Sequence, residues 1–213
     1  MLRLLLAFVL VGMVMGEGCC PPNAWEGFVG TMVGFNENGV PHLTKGFFVY
    51  HQNSTLGMVA MEGDMLFDGW YTKIKIIKDN IKNIQYVIIN GTCTKQTLVL
   101  KAPNCIPENA TRLLNTYLGA GPENLVVKVY RFMQEDTEVY STVTSSGCIP
   151  VDYVITGTHP VTKAVFMEVV QITFITVGVK DPTVFVIPSV CDSADTSSDY
   201  VPIMNRLMPS GFY

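Results

Sequence analysis

Six cysteines, three histidines and two acidic clusters are the residues of this chain with chemistry to offer. Zinc would need close pairs such as C-x-x-C, and of Cys19, Cys20, Cys93, Cys105, Cys148 and Cys191 only the first two are close. Adjacent cysteines chelate poorly, so the even set reads as disulfides formed in an oxidising compartment, with the pairing left open. His42, His51 and His159 lie in unrelated segments. A triad is defined in space rather than in sequence, yet no G-x-S-x-G elbow and no glycine-rich phosphate loop accompanies them. They are expected as turn or surface residues, and a histidine-dependent lipid hydrolase ranks last among the functions considered. No catalytic residue is assigned. Glu62, Asp64 and Asp68 form one acidic cluster, and Glu135, Asp136 and Glu138 the other. Calcium takes about six to eight oxygens, and neither cluster resembles an EF-hand loop. Solvated hairpin turns are the plainer reading and a weak calcium site the alternative; no other cofactor is expected.

Composition narrows the class. Apolar residues make up 48% of the chain and charged ones only 15%, which implies two buried faces or an interior larger than packing alone requires. The net charge is −4 and no Lys/Arg cluster occurs, which argues against a nucleic-acid partner. Arg3 precedes an apolar run, Leu4 to Met15, followed by Gly16 and Gly18. This pattern predicts a signal peptide over residues 1–16, or to 18, too short to span a bilayer. Sequons at Asn53, Asn90 and Asn109 agree with a secreted glycoprotein.

The elements that must position these groups are mostly strands. Trp25 to Phe35 ends at the turn signal Asn36-Glu37-Asn38-Gly39, and strands follow at His42 to Gln52 and Leu56 to Met61. Trp70 to Lys78 has the cleanest period of two, with Trp70, Thr72, Ile74 and Ile76 on one face and Tyr71, Lys73 and Lys75 on the other. Strands are also expected at Asn83 to Gly91, Thr92 to Lys101, Leu125 to Met133, Val139 to Ser145 and Val151 to Gly157. Glu108 to Leu118 reads as the one short helix, with an apolar stripe of Leu113, Leu114, Tyr117 and Leu118 and a stop at Gly119. Val165 to Val179 is rich in β-branched residues and reads as a long core strand. After it Lys180-Asp181-Pro182 turns the chain, Val184-Phe185-Val186 offers an apolar plug, and Cys191 pins the end. Residues 192–213 read as a loose tail, leaving one β-dominated domain of antiparallel sheets over 19–191. Whether its apolar strands enclose an ordinary core or a ligand cavity is left open by periodicity alone.

Several stretches resemble the ependymin-related proteins. The most specific is Gly178-Val179-Lys180-Asp181-Pro182-Thr183-Val184-Phe185 with Pro188-Ser189-Val190-Cys191. Cys19 with Pro22 and Trp25-Glu26-Gly27 is similar to the family's opening. Cys93-Thr94-Lys95, Ile106-Pro107-Glu108-Asn109-Ala110-Thr111 and Cys148-Ile149-Pro150-Val151 follow in the family's order. The resemblance implies a lipoprotein-carrier-like fold: two stacked antiparallel sheets around a deep apolar pocket, in a homodimer. It implies pairs Cys19–Cys148 and Cys93–Cys191, leaving Cys20 and Cys105 to pair with each other. It further implies a secreted or lysosomal, non-enzymatic glycoprotein that binds a lipid or other hydrophobic molecule, with calcium binding and cell–matrix adhesion as the alternative role. Pocket walls are then expected from Trp70, Ile74 and Ile76, from Val87 and Ile89, from Val127 and Val129, and from Val170, Ile172 and Phe174.

Overall fold

The computed structural model describes residues 19–98, 104–134, 136–159, 163–194 and 196–197. The expected signal peptide and most of the expected tail therefore lie outside the described residues. Alternation of inward apolar and outward residues builds β1 (Ala24–Glu37) and β2 (Val40–Asn53), joined by a turn in which Asn38 and Gly39 both have positive φ. The meander continues through β3 (Met58–Phe67), β4 (Trp70–Asp79), β5 (Ile84–Ile89) and β6 (Thr92–Thr97). Glu62-Gly63-Asp64 does not turn the chain. Gly63 lies inside β3 because a Cβ there would fall on the Phe47 carbonyl oxygen of β2.

A second meander runs through β7 (Thr111–Ala120), β8 (Glu123–Gln134), β9 (Thr137–Thr144), β10 (Pro150–Thr158) and β11 (Val165–Val177). The two meanders are not separate layers. β11 pairs antiparallel with β1, so the facing walls belong to one continuous sheet ordered β12-β6-β5-β4-β3-β2-β1-β11-β10-β9-β8-β7. Its short last member, β12 (Thr196–Ser197), pairs parallel to β6. The helix expected over Glu108 to Leu118 is β7 instead. An isolated helix of that length is marginal in water, whereas Thr111 to Ala120 pairs with β8 as the arm of a hairpin. Its side chains are almost all exposed, so backbone pairing rather than burial holds this edge strand.

The inner face of the sheet carries the main core: Trp25, Val29, Val33, Phe48, Tyr50, Met61, Ile74, Ile76, Val87, Phe132, Ile155, Phe166 and Val170 among others. A second core lies on the outer face of the first meander. There the segment after β11, with 3-10 turns at Pro182–Phe185 and Ser189–Cys191, packs Phe185 on Ala60, Ile77, Tyr86 and Cys93. Asp181 caps the first turn by accepting from the Thr183 amide at 2.9 Å, and Cys191 bonds Cys93 of β6. The expected plug is thus a strap across the outer face of β3 to β6.

Candidate ligand cavity

One end of the curled sheet closes over a cavity. Its walls come from Trp25 and Val29 of β1, Tyr50 and Gln52 of β2, Val59 of β3, Lys78 of β4, Phe132 of β8, Val143 of β9, Tyr153 of β10, and Val170 and Ile172 of β11. In a flat sheet β4 and β8, seven strand spacings apart in the sheet order, would be roughly 34 Å apart. That both line one cavity measures how far the sheet curls. The lid is the N-terminal segment and the β6–β7 crossover. Cys19, Pro21, Asn104, Cys105 and Ile106 line the mouth, and the Ile106 amide donates to the Cys19 carbonyl at 2.8 Å. Bonds Cys19–Cys148 and Cys20–Cys105 hold these pieces to each other and to the β9–β10 turn. The cavity volume is about 70 Å³, several times the ~10–15 Å³ that a cavity needs to hold one water.

Polar groups in the lining gather at this end. The Tyr50 hydroxyl donates to Gln52 Oε1 at 2.9 Å. Tyr50 and Tyr153 both line the cavity, and burial pushes both phenols up, that of Tyr153 to about 12. Lys78 is 4% exposed. Burial, partly offset by the charge on Glu168, pulls its ammonium down to about 8. Glu168 is fully buried on β11 and accepts from the Thr31 hydroxyl at 3.1 Å. The buried Trp25 indole N–H finds no acceptor among the described residues.

The sequence marks some of these walls and misplaces others. Val170 and Ile172 line the cavity, while Ile74, Ile76, Val87 and Ile89 belong to the inner-face core beside it. Phe174 does not. A bulge breaks the β1–β11 register after Thr173, Phe174 adopts φ 52°, and its ring turns outward against Phe28 at 5.8 Å. Ile175 packs on the core in its place. Trp70 has the inward parity but stands at the end of β4 beside the hairpin turn and is 80% exposed. Val127 and Val129 lie on the face opposite Phe132, because they pair with Thr144 and Thr142 while Phe132 pairs with Val139. Lys78, Trp25, Tyr50 and Tyr153 were not expected at the site. Parity could have found Lys78, which shares the even positions of Ile74 and Ile76 and not the odd ones of Lys73 and Lys75.

The remaining candidates sit apart from the cavity. His42 stacks on Phe35 and Phe67 and meets Asp68 at 2.6 Å, while His51 at the other end of β2 lies 3.4 Å from Glu26. His159 is buried after β10, and burial lowers its imidazole below the usual value. Glu62 pairs with Lys75 at 3.4 Å, and Asp64 stands opposite Lys73. Glu138 is bound to Arg131, Asp136 is exposed, and Glu135 lies outside the described residues. Among the described residues, no three His, Cys, Asp or Glu side chains converge. The sequon residues Asn53, Asn90 and Asn109 all fall in or beside turns, the last two exposed.

On the outer face, Phe28, Phe47, Val49 and Thr173 line a shallow groove of about 370 Å³ bordered by Glu62 and Asp64. No helix among the described residues is long and apolar enough to cross a membrane.

Comparison with known proteins gives one family. The sequence profile of the ependymin family matches residues 70–191. Among solved structures, a DUF1329 family protein from Desulfovibrio piger is similar over 77% of this chain and 90% of its own, at 7% identity and a TM-score of 0.29. No curated protein matches the chain.

Proposed function

The chain belongs to the ependymin family, and on that premise we propose that it is a secreted, non-enzymatic glycoprotein that binds a hydrophobic, lipid-like molecule inside the curl of its sheet. The observation that carries this reading is the cavity between Trp25, Phe132, Val170 and Ile172, capped by two disulfides. An ordinary core would close such a gap, because each missing contact costs dispersion energy. Three disulfides and no free cysteine support passage through an oxidising compartment. Each methylene of a bound chain contributes about 0.8 kcal/mol on leaving water.

The test is titration with a fluorescent fatty acid, before and after the cavity is filled. Val170→Phe places a ring in the lining from a rigid strand and costs about 1–3 kcal/mol in overpacking. The wild type should bind saturably, and the variant should lose binding while keeping its β-sheet circular dichroism. A wild type that shows no saturable binding sinks the proposal, as does a folded variant that binds unchanged.

A further inference from the structure

β7 and β8 form a hairpin whose far end presents apolar side chains to solvent on both faces. Tyr117 stands opposite Val126 and Leu118 opposite Leu125, so one pair lies on each face. All four are exposed, from 42% for Leu118 to 60% for Tyr117. They flank a turn of small residues, Gly119-Ala120-Gly121-Pro122. This tip overhangs the sheet. The β8–β9 ladder ends at Val127 and Thr144, and the Ser145 amide donates to the Val126 carbonyl at 2.9 Å. From Leu125 to Glu123, β8 is paired among the described residues with β7 alone, and Val126 to Glu123 spans about 10 Å. The overhang is at the mouth of the cavity. Past Thr144 the chain turns through Cys148, which is bonded to Cys19 of the lid, and Val143, Cys148 and Pro150 line the cavity. Resting on the lipid-binding reading above, we propose that this tip enters a phospholipid surface with anionic headgroups and holds the mouth against it, so that ligand passes from bilayer to cavity.

Apolarity on both faces favours a fluid partner. A protein surface packs on one face of a sheet, whereas lipid closes around both. Charge agrees. The whole chain is net −4, yet β7 and β8 carry Arg112, Lys128 and Arg131 against one acid, Glu123. Arg131 is bound to Glu138 of β9, which leaves Arg112 and Lys128 for lipid phosphates. Lys128 lies two residues behind Val126, about 7 Å, and so reaches headgroup level once the tip is at the acyl boundary. An entry of about 5–10 Å suits this arm. Going deeper would take the free edge of β7 and the Glu123 carboxylate into hydrocarbon, where neither is satisfied.

The full secreted protein, glycans included, is floated with vesicles of phosphatidylcholine and a minor share of phosphatidylglycerol. The wild type should float with them, and less so with pure phosphatidylcholine or at high salt. Leu118→Thr with Leu125→Thr keeps strand-compatible side chains outside the cavity lining and should weaken vesicle binding about tenfold or more. Fatty acid added from solution should bind this variant as tightly as wild type, while fatty acid supplied in vesicles should load more slowly. Lys128→Gln should remove the preference for anionic vesicles. Equal flotation on both vesicle types, or a preference that survives in Lys128→Gln, overturns the headgroup assignment. A folded double variant that floats like the wild type overturns the insertion. Should the double variant not fold, Ala120→Trp decides: a ring added at the exposed turn should strengthen flotation, and flotation unchanged or weakened overturns the proposal. If the tip substitutions instead split a dimer and vesicles are not bound, the tip is a protein interface and the proposal fails. Saturable fatty-acid binding without flotation also overturns it and leaves the lipid reading standing. Absence of fatty-acid binding in solution fails the lipid reading itself.

Discussion

Lys78 and Asp79 are neighbours in sequence, both buried, and their side chains leave β4 in opposite directions. The lysine meets the cavity; the aspartate organises the turn to β5. Asp79 Oδ1 accepts from the Ile81 amide at 3.1 Å and the Lys82 amide at 2.8 Å, and its Oδ2 lies 3.1 Å from the Lys82 ammonium. Burial by itself would raise this carboxyl, but those two amides and the Lys82 charge together hold it below the usual range. In the unfolded chain Asp79 ionises near pH ~4. Its contribution to stability is therefore complete above that value and is lost as pH falls through the lower folded one. Asp79→Ala should cost about 2 kcal/mol at neutral pH. Urea melts repeated toward acid should show the gap to wild type shrinking; a gap that persists below the folded ionisation would contradict this account.

β11 is the strand in which element-level patterning both succeeds and fails. Its β-branched run predicts a strand, and Phe166, Val170 and Ile172 face inward as alternation requires. One extra residue after Thr173 then reverses the parity and throws Phe174 out. β7 fails in another way. Its leucines suit a helical stripe, and only the presence of β8 alongside makes the extended form the better one. Of the strap after β11 the sequence shows the turn at Asp181-Pro182 and the apolar residues around Phe185, but not the crossing to the outer face of β3 to β6. Removing that ring should uncover the outer-face core. Phe185→Ala is expected to destabilise by about 3 kcal/mol, lowering the denaturation midpoint with an unchanged slope. A loss below about 0.5 kcal/mol, the range of an ordinary surface change, would mean that the strap does not pin the sheet.

For the molecule as a whole, the decisive feature is that a single sheet supplies both walls and disulfides supply the lid. Cys20 and Cys105 are 85 residues apart, and closing a loop of that size is worth about 4–5 kcal/mol in the chain-entropy model. Most of the effect of cutting this bond should be local, since Cys19–Cys148 still ties the N-terminal segment to the β9–β10 turn. Replacing both cysteines by serine should speed hydrogen exchange at Ile106, whose amide bridges to Cys19, while amides between β1 and β2 stay protected. Bound fatty acid should leave such a variant faster. Unchanged exchange at Ile106 would show that the crossover is held by packing alone.

Composition and alternation were enough for the class of fold, most of the strands and the tight Asn38-Gly39 turn. Those are local properties, written in residues a few positions apart. The family was legible for a related reason, since its marks are short runs such as Asp181-Pro182 and Cys148-Ile149-Pro150. Which residues share the cavity was not local. It depended on the curl that brings β4 opposite β8, on a one-residue bulge that no composition announces, and on the crossover that returns Cys105 to Cys20. A lysine among surface lysines became a buried group of the cavity wall through parity and curvature together. Parity could be counted in the sequence; curvature, a sum of small twists over a whole sheet, exists only when the strands are paired.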